Sequence, residues 1–307
     1  MEERKGTKRS TRRRFLGRML QGLGGLGISA GLAGCDPSSY WDYLTLDDAD
    51  KVDERFNESV SGHAKPLVFP EPESDEFTFL WLSDIHITKG QPDYMDRLGY
   101  YAEQVGAVFI LHSGDCVDQG LDEEYHKWNR LLDGYLPVPL FTAISNHDVY
   151  NDGWDRYKRY IGPCAFKFEY GPCQFIFIDT ANGTTGQDQM KWIEKVCKRG
   201  RHIPHRFMLS HYPIYDGGLQ TPATMGNTEE RMKLVSLMDE YHIKYFLCGH
   251  KHCGEHYKIR GIRHIISGAG SAYKYILDDD YHFYRFDVVG GEVYKEKIYF
   301  DDVEILG

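Results

Sequence analysis

The sequence predicts an α/β domain whose strands are covered by helices on both faces. Apolar runs of strand length alternate with segments that have the apolar period of a helix. The predicted strands span residues 77–82, 108–111, 139–144, 207–209 and 245–248. The predicted helices span residues 94–105, 123–132, 186–198 and 229–241. Because continuous apolar runs are typical of strands buried on both faces, we expect a largely parallel sheet.

Two further groups of strands complete the predicted domain. Residues 165–170 and 174–178 flank Gly171-Pro172, which predicts an antiparallel hairpin added to the sheet. The end of the chain, residues 255–305, is rich in strand-forming residues with Gly and Asp turns. We expect this end to form a second, mostly antiparallel sheet.

The chain divides into three parts. Residues 36–76 are rich in Asp, Glu, Ser and Pro without a sustained apolar period, which predicts a tether with one short helix. The domain is expected to occupy residues 77–307, and residues 1–35 form a separate N-terminal segment.

The N-terminal segment has the pattern of an export signal. Residues 11–16 contain a twin-arginine pattern, and the uncharged stretch 19–33 that follows is too short to span a membrane. It ends at Cys35 in Leu-Ala-Gly-Cys, which resembles the lipobox of bacterial lipoproteins, where the Cys is acylated. We therefore expect lipidation of Cys35 and a protein that is exported to the cell envelope and lipid-anchored to a membrane face. The alternative is a basic tail followed by a buried helix.

Charge restricts the class of partner. The formal net charge is -10, and without residues 1–34 the chain has 28 basic and 44 acidic residues, a charge of about -16. Such a surface repels polyanions, so we expect no nucleic-acid-binding surface. A phosphate-bearing substrate would need concentrated local positive charge, which bound metal ions would supply.

Six cysteines remain besides Cys35. Cys116, Cys248 and Cys253 lie beside the residues discussed next, and we expect them to be buried thiols. A disulfide between Cys164 and Cys173 is left open, because no spacing demands it.

Asp, Asn and His residues follow the ends of five predicted strands. The carboxyl ends of strands in an open α/β sheet converge on one crevice, so these residues are expected to meet there. Residues two apart on an extended segment point to the same side, which would let Asp84 and His86, or His250 and His252, serve one site. Imidazole together with carboxylate and amide oxygen suits ions such as Mn, Fe or Zn. The five strand ends carry Asp84 and His86; Asp115; Asn146, His147 and Asp148; His211; and His250 and His252.

These strand ends resemble the five blocks of the calcineurin-like metallophosphoesterases, in the same order, over about residues 77–272. The blocks here are Asp84-x-His86, Gly114-Asp115-x-x-Asp118, Asn146-His147-Asp148, His211 and Gly249-His250-x-His252. The resemblance implies a four-layer α/β/β/α sandwich of two mixed sheets flanked by helices. It also implies a cofactor of two divalent or trivalent metal ions.

The resemblance assigns a role to each residue of these blocks. Asp84, His86 and His252 would hold one metal ion, and Asn146, His211 and His250 the other. Asp115 would bridge the two ions, and a bridging hydroxide would be the nucleophile. His147 would donate a proton to the leaving group, and we expect Asp148 to orient the His147 imidazole.

Two positions depart from related patterns. Ser145 stands where the family usually has Gly, and we expect a small effect. Purple acid phosphatases, which share the core, have a metal-binding Tyr where this chain has Asp118, and they lack the His that is His86 here. The resemblance is therefore to the calcineurin-like branch.

We expect an enzyme that hydrolyses phosphate esters, either monoesters or diesters, nucleotides included. One alternative is a phosphoesterase of phospholipids or envelope polymers, and another is a catalytically silent binding module on the same fold. The expected partners are a phosphate-ester substrate and, through the lipid anchor, a membrane. We expect a monomer.

Overall fold

Two mixed sheets stack face to face, with helices on their outer faces. The computed structural model describes residues 49–87, 93–215, 223–270 and 281–305. The helices are α1 (Ala49–Val60), α2 (Asp93–Gln104), α3 (Asp122–Tyr135), α4 (Trp154–Tyr160), α5 (Gln187–Arg199) and α6 (Thr228–Glu240). The strands are β1 (Phe77–Leu82), β2 (Ala107–His112), β3 (Leu140–Thr142), β4 (Phe166–Tyr170), β5 (Cys173–Phe177), β6 (His205–Leu209), β7 (Tyr245–Cys248), β8 (Glu255–Ile259), β9 (Ile262–Ile266), β10 (His282–Val289) and β11 (Glu292–Tyr299). Short 3₁₀ turns span His147–Asp152 and Phe300–Asp302.

Each sheet combines parallel strands with antiparallel additions. The first sheet has the order β11-β10-β1-β2-β3, in which β1, β2 and β3 are parallel and β10 and β11 are antiparallel additions. The second has the order β4-β5-β6-β7-β9-β8, in which β5, β6, β7 and β9 are parallel. Its edge strands β4 and β8 are antiparallel to their neighbours. The predicted fold class, two mixed sheets flanked by helices, is confirmed.

The C-terminal strands do not form the separate antiparallel sheet that the sequence suggested. Strands β8 and β9 extend the second sheet beyond β7, whereas β10 and β11 extend the first sheet beyond β1. The prediction was wrong because a local strand pattern does not indicate which sheet edge a strand will join. The C-terminal strands are therefore divided between the two sheets, and each sheet gains two of them.

An aromatic layer fills the space between the two sheets. The rings of Phe79 and Phe286, from neighbouring strands, stack with centroids 4.9 Å apart. Phe79 also meets Phe175 and Phe207 of the opposite sheet edge-on, at 5.2 and 5.4 Å. Burying each such ring contributes roughly 2–3 kcal/mol, so the layer fixes the sheets against each other. The strand ends that carry the polar residues are therefore held in place.

Part of the predicted tether belongs to the folded domain. The guanidinium of Arg55, on α1, pairs with buried Asp179 at 2.7 and 3.0 Å. Phe56 packs against Trp192 of α5, with ring centroids 5.8 Å apart, and Phe69 stacks on Phe168 at 4.8 Å. The polar composition of this segment concealed a buried face on α1. The domain therefore begins before residue 77, at least from α1 onward.

Several predictions concern residues outside those that the structure describes. The export signal and Cys35 are among them, and so is the start of the tether. Within the described residues, no helix has the length and apolar character that spanning a membrane requires. None of the described cysteines forms a disulfide, and Cys164 and Cys173 are buried thiols.

Candidate metal centre

Loops that follow β1, β2, β3, β6 and β7 bring the predicted residues together at one end of the sandwich. Backbone hydrogen bonds join these loops directly: His86 N–H donates to the Asp115 carbonyl at 2.8 Å, and Asp84 N–H donates to the Gly114 carbonyl at 3.0 Å. The N–H of Gly249 donates to the His211 carbonyl at 3.0 Å. The loops thus form one connected unit.

The first group of side chains consists of Asp84, His86, Asp115 and His252, all buried. Their ligand atoms all lie within 4.8 Å of one another. His86 Nε2 is 3.2 Å from Asp115 Oδ2 and 3.3 Å from His252 Nε2. His252 Nε2 is also 3.3 Å from Asp84 Oδ1. Two carboxylates and two imidazoles that converge in this way form a pocket suited to a cation.

The second group consists of Asp115, His211 and His250. His211 Nε2 lies 3.4 Å from Asp115 Oδ2 and 3.1 Å from His250 Nδ1. The other ring nitrogen of His211, Nδ1, donates to the Ser113 carbonyl at 2.9 Å, which turns Nε2 toward the group. Asp115 is common to both groups.

Asn146 has a buried amide and directly follows Ser145, whose hydroxyl accepts from the Asp115 N–H. Its Nδ2 donates to the Tyr150 hydroxyl at 3.1 Å, which fixes the orientation of the amide. Asn146 Oδ1 and Asp115 Oδ1 are both buried, and neither accepts a hydrogen bond from a described residue. Buried acceptors without donors are unfavourable unless another electropositive group meets them. A cation would satisfy both oxygens, so the residues present fit the two metal ions that the family resemblance implies.

Five of the gathered residues have left-handed backbone conformations. The φ angles of Asp84, His86, Asp115, His250 and His252 lie between 44° and 69°. The sequence-based argument that Asp84 and His86, or His250 and His252, share a side of an extended segment is therefore wrong. Each pair converges because both residues turn within a tight loop. Left-handed non-glycine residues cost of order 1 kcal/mol each and concentrate at functional sites.

Glycines permit the close approach of these loops. A Cβ on Gly249 would lie 2.2 Å from Asp84 Oδ2, and one on Gly114 would lie 2.8 Å from His211 Nδ1. Both contacts are shorter than a side chain allows, so these positions require glycine.

The local electrostatics favour positive charge at the centre. Burial by itself raises the pKa of Asp115, but His211, His147 and His86 hold that pKa well below its ordinary value. Burial lowers the pKa of His86, yet the neighbouring Asp115 raises it well above its ordinary value. Burial and the adjacent His211 lower the pKa of His250 to about 3, which keeps this imidazole neutral. A neutral imidazole has the lone pair that a metal ligand needs.

His147 lies at the edge of the first group. Its Nδ1 donates to the Asp118 carbonyl at 2.7 Å, because a carbonyl can only accept. Its ring is 4.7 Å from the His86 ring. Burial lowers the pKa of His147, although the Asp115 charge opposes that effect. Because Nδ1 donates to this carbonyl, a proton exchanged by the imidazole would pass through Nε2.

Asp148 does not orient His147, contrary to the prediction. Its Oδ1 accepts from the N–H groups of Cys116 and Val117 at 3.1 and 3.3 Å. Its Oδ2 accepts from the N–H and hydroxyl of Ser145 at 3.1 and 2.7 Å. Adjacent residues on a 3₁₀ turn point in different directions, so Asp148 instead joins the loop of Asp115 to the loop of Asn146.

The sequence reasoning undervalued two residues. Ser145 was expected to have a small effect, but its hydroxyl accepts from the Asp115 N–H at 2.9 Å and so links two loops. The carboxylate of Asp118 lies 3.5 Å from His86 Nδ1, on the side of the ring away from Asp115. The Gly-Asp-x-x-Asp spacing was the signal that could have identified Asp118.

Comparisons with known proteins agree with this geometry. The family model described as calcineurin-like phosphoesterase matches residues 77–254, more than half of the chain. No curated protein matches the chain in sequence.

Solved structures share the fold at low sequence identity. A purple acid phosphatase, PPD1, from yellow lupin (Lupinus luteus) seeds has a TM-score of 0.61 and 15% identity, with 77% of this chain and 54% of that chain covered. GAP50, described as the anchor in the inner membrane complex of Plasmodium, has a TM-score of 0.58 and 17% identity, with 76% and 87% covered. A dimetal phosphatase from Danio rerio has a TM-score of 0.52 and 13% identity, with 73% and 99% covered. The family match, which runs from β1 to β7, shows that the chain belongs to the calcineurin-like phosphoesterase family.

Proposed function

We propose that this protein hydrolyses phosphate esters at a centre that holds two metal ions. The observation that carries the proposal is the position of Asp115, which belongs to both groups of converging ligand atoms. A shared carboxylate between two sets of imidazoles suits a pair of cations rather than one. Membership of a phosphoesterase family supports the reaction class.

The ligand assignment follows the two groups. One ion would be held by Asp84, His86 and His252. The other ion would be held by His211, His250 and Asn146. Both ions would be bound by Asp115. Ions of the Mn, Fe or Zn type suit this mixture of imidazole and oxygen donors. Two such ions, once held by the protein, would bind phosphate oxygens and lower the pKa of a water molecule. They would also neutralise the negative charge that develops as phosphorus is attacked.

His147 is the residue we assign to proton transfer. Its Nδ1 is engaged with the Asp118 carbonyl, so Nε2 would give a proton to the leaving alkoxide. Giving that proton requires the imidazolium form of His147, because Nδ1 already carries the proton that is donated to the Asp118 carbonyl. This carbonyl orients the imidazolium and stabilises its charge. Asp148 has a positioning role, because its carboxylate holds the backbone of Cys116 next to Asp115.

The choice between monoesters and diesters is not determined by these ligands. A phospholipid or envelope-polymer substrate is the narrower alternative, and it is motivated by the predicted lipid anchor. A catalytically silent binding module is the alternative from another class. It is motivated by the similarity to GAP50, which is described as an anchor. The six converging Asp and His residues, together with His147, favour the enzyme.

The test compares hydrolysis of nitrophenyl phosphate and bis(nitrophenyl) phosphate by the metal-loaded protein and by Asp115→Asn. The amide keeps the shape of the side chain but removes the shared negative charge. We expect a decrease in kcat/KM of at least about 10³-fold for whichever ester is hydrolysed. The matched control is Asp133→Asn, the same change at an exposed position of α3, which should leave kcat/KM unchanged.

A second experiment removes the metal with a chelator and then adds it back. Activity should disappear with the metal and recover with Mn²⁺ or Zn²⁺. Equal rates for wild type and Asp115→Asn would refute the proposed centre. Absence of ester hydrolysis by the metal-loaded wild type, with metal bound, would favour the binding module.

A further inference from the structure

Basic side chains gather at one edge of the sandwich, outside the metal centre. They come from β8 and β9 at the edge of the second sheet and from β11 at the edge of the first. We call this cluster the basic edge, and it consists of His256, Lys258, Arg263, Lys295 and Lys297.

The cations of the second sheet face the first sheet. Lys258 and Arg263 are directly paired across β8 and β9, and His256 pairs with Ile265. Ile265 belongs to the layer between the sheets, and alternate residues of a strand share a face. The Arg263 guanidinium accordingly lies 5.1 Å from the ring centre of Tyr245, which is also in that layer.

The cations of the first sheet lie on the face that is turned toward the second sheet. The amines of Lys295 and Lys297 lie 4.6 and 5.9 Å from the ring centre of Tyr284. Tyr284 belongs to the layer between the sheets, as does Phe286, whose ring is 6.1 Å from that of Tyr245. Basic residues from both sheets thus lie near one another at the edge strands β8 and β11.

Like charges repel each other within the basic edge. Burial lowers the pKa of His256, and Lys295, Lys258 and Arg263 lower it further. Burial also lowers the pKa of Lys295, with additional contributions from Lys297 and Arg263. Lys258, Arg263 and Lys295 have no ion pair with a residue in the described part of the chain.

The direct pairing of Lys258 with Arg263 across two strands is destabilising, because like charges oppose each other there. This repulsion persists in a chain whose net charge is -10, where acidic partners are abundant. A bound anion would relieve it.

Contacts connect the basic edge to the loop that carries His252. The Lys297 amine lies 5.7 Å from the Tyr299 ring centre, and the Tyr299 and His282 rings are 6.0 Å apart. The Gly268 N–H donates to His282 Nε2 at 3.3 Å, and a Cβ on Gly268 would lie 3.5 Å from the His252 carbonyl oxygen. The basic edge is thus connected to the loop of His252 through a few packed residues.

We propose that the basic edge binds remote phosphates of a linear phosphate polymer without bases, one ester of which is cleaved at the metal centre. The cleavage in this statement rests on the proposed function, whereas the binding does not. The rings of Tyr245 and Tyr284 are only 5% and 3% exposed and are covered by the cations. They offer no open face for stacking a base, and stacking is what nucleic-acid channels generally use. Cations that come from two facing sheets can contact a chain from both sides, which a flat membrane surface does not allow.

The test measures binding of end-labelled poly(glycerol phosphate) to the full chain by fluorescence anisotropy over a range of salt concentrations. The test variant is Lys258→Gln/Lys295→Gln, which removes two positive charges from the basic edge. The matched control is Lys195→Gln/Lys198→Gln, which removes two exposed amines from α5. We expect about tenfold weaker binding in the test variant, with the slope of log Kd against log salt smaller by about 1.5. The control should bind as wild type does.

Three outcomes separate this proposal from the proposed function. Unchanged affinity and salt dependence in the test variant would overturn the binding site. Tighter binding of an oligothymidylate with the same number of phosphates would overturn the preference for a polymer without bases. Hydrolysis of bis(nitrophenyl) phosphate should be the same in the test variant and wild type, since the small ester does not reach the basic edge. If the wild type hydrolysed no ester but bound the polymer through these lysines, only the proposed function would fail.

Discussion

Oδ2 of Asp115 lies 3.4 Å from Nε2 of His211, and this contact joins the two groups of ligand atoms. The two residues follow different sheets, since Asp115 comes after β2 and His211 after β6. The centre therefore lies where the ends of the two sheets meet. The aromatic layer that holds the sheets together also fixes the distance between the residues from each sheet. Neighbouring side chains with no direct role in the reaction should consequently affect metal affinity.

Asp118→Asn should weaken metal binding. The carboxylate lies 3.5 Å from His86 Nδ1 and favours the orientation in which Nε2 faces Asp115. Replacing such a supporting carboxylate typically lowers metal affinity about 10–100-fold. Competition with a chelator of known affinity measures the change, with Asp133→Asn as the surface control. Because His147 is held by the backbone carbonyl of residue 118, its proton transfer should persist at saturating metal. An unchanged metal affinity would contradict the role assigned to Asp118.

Asp148→Asn should act through stability. The carboxylate accepts four hydrogen bonds from Ser145, Cys116 and Val117, and an amide cannot accept all of them. Leaving buried donors unsatisfied costs about 1–3 kcal/mol each, so the free energy of unfolding should fall by at least about 1 kcal/mol. Urea denaturation of the variant and of Asp133→Asn provides the comparison. If stability were unchanged and only the pH profile of kcat moved, the original assignment of Asp148 as the partner of His147 would be restored.

Arg55→Met should destabilise the protein strongly. The change removes the guanidinium that pairs with Asp179 and leaves a buried carboxylate uncompensated. Breaking a buried pair in this way costs about 3–5 kcal/mol. Lys191→Met is the matched control, because it removes the cation of the exposed Lys191–Asp188 pair, and it should cost less than about 1 kcal/mol. Similar unfolding free energies for the two variants would show that α1 is not anchored as described.

His264 should make stability dependent on pH. Burial lowers the pKa of His264 to about 3, and its Nε2 accepts from the Ile214 N–H at 3.2 Å. Since the unfolded state has an ordinary pKa near 6.5, only the unfolded state gains the proton as the pH falls below that value. Stability should therefore be unaffected above about pH 6.5 and decrease from there toward pH 3, with about 2 kcal/mol lost at pH 5.

The measurement is the unfolding free energy of metal-free wild type and His264→Gln at pH 7 and pH 5. The variant lacks this titrating group, so its loss of stability between the two pH values should be smaller by about 2 kcal/mol. Equal losses would mean that His264 is protonated in the folded protein.

The sequence predicted the residues of the centre more completely than the way they converge. Polar residues at strand ends were sufficient to predict that Asp84 and Asp115 meet, because parallel strands of one sheet direct their carboxyl ends to one edge. His211 follows a strand of the other sheet, so its approach to Asp115 depends on how the two sheets stack. The left-handed backbone of Asp84 and His86 could not be foreseen, since it depends on hydrogen bonds to the loop of Asp115. The orientation of Asp148 was missed for the same reason.

Long-range pairing limited the prediction of the fold in a similar way. The strand character of β10 was apparent, but its position beside β1 depends on which sheet edge is available. The buried face of α1 was concealed because Arg55, a charged residue, occupies a buried position that only its pairing with Asp179 makes tolerable.

The central claim is that Asp115 lies between two metal ions. The most direct measurement is anomalous diffraction from crystals of the protein grown with Mn²⁺. We predict two anomalous peaks about 3.5–4 Å apart, with an oxygen of Asp115 within bonding distance of both. A single peak beside Asp115, or two peaks of which only one contacts it, would contradict the account.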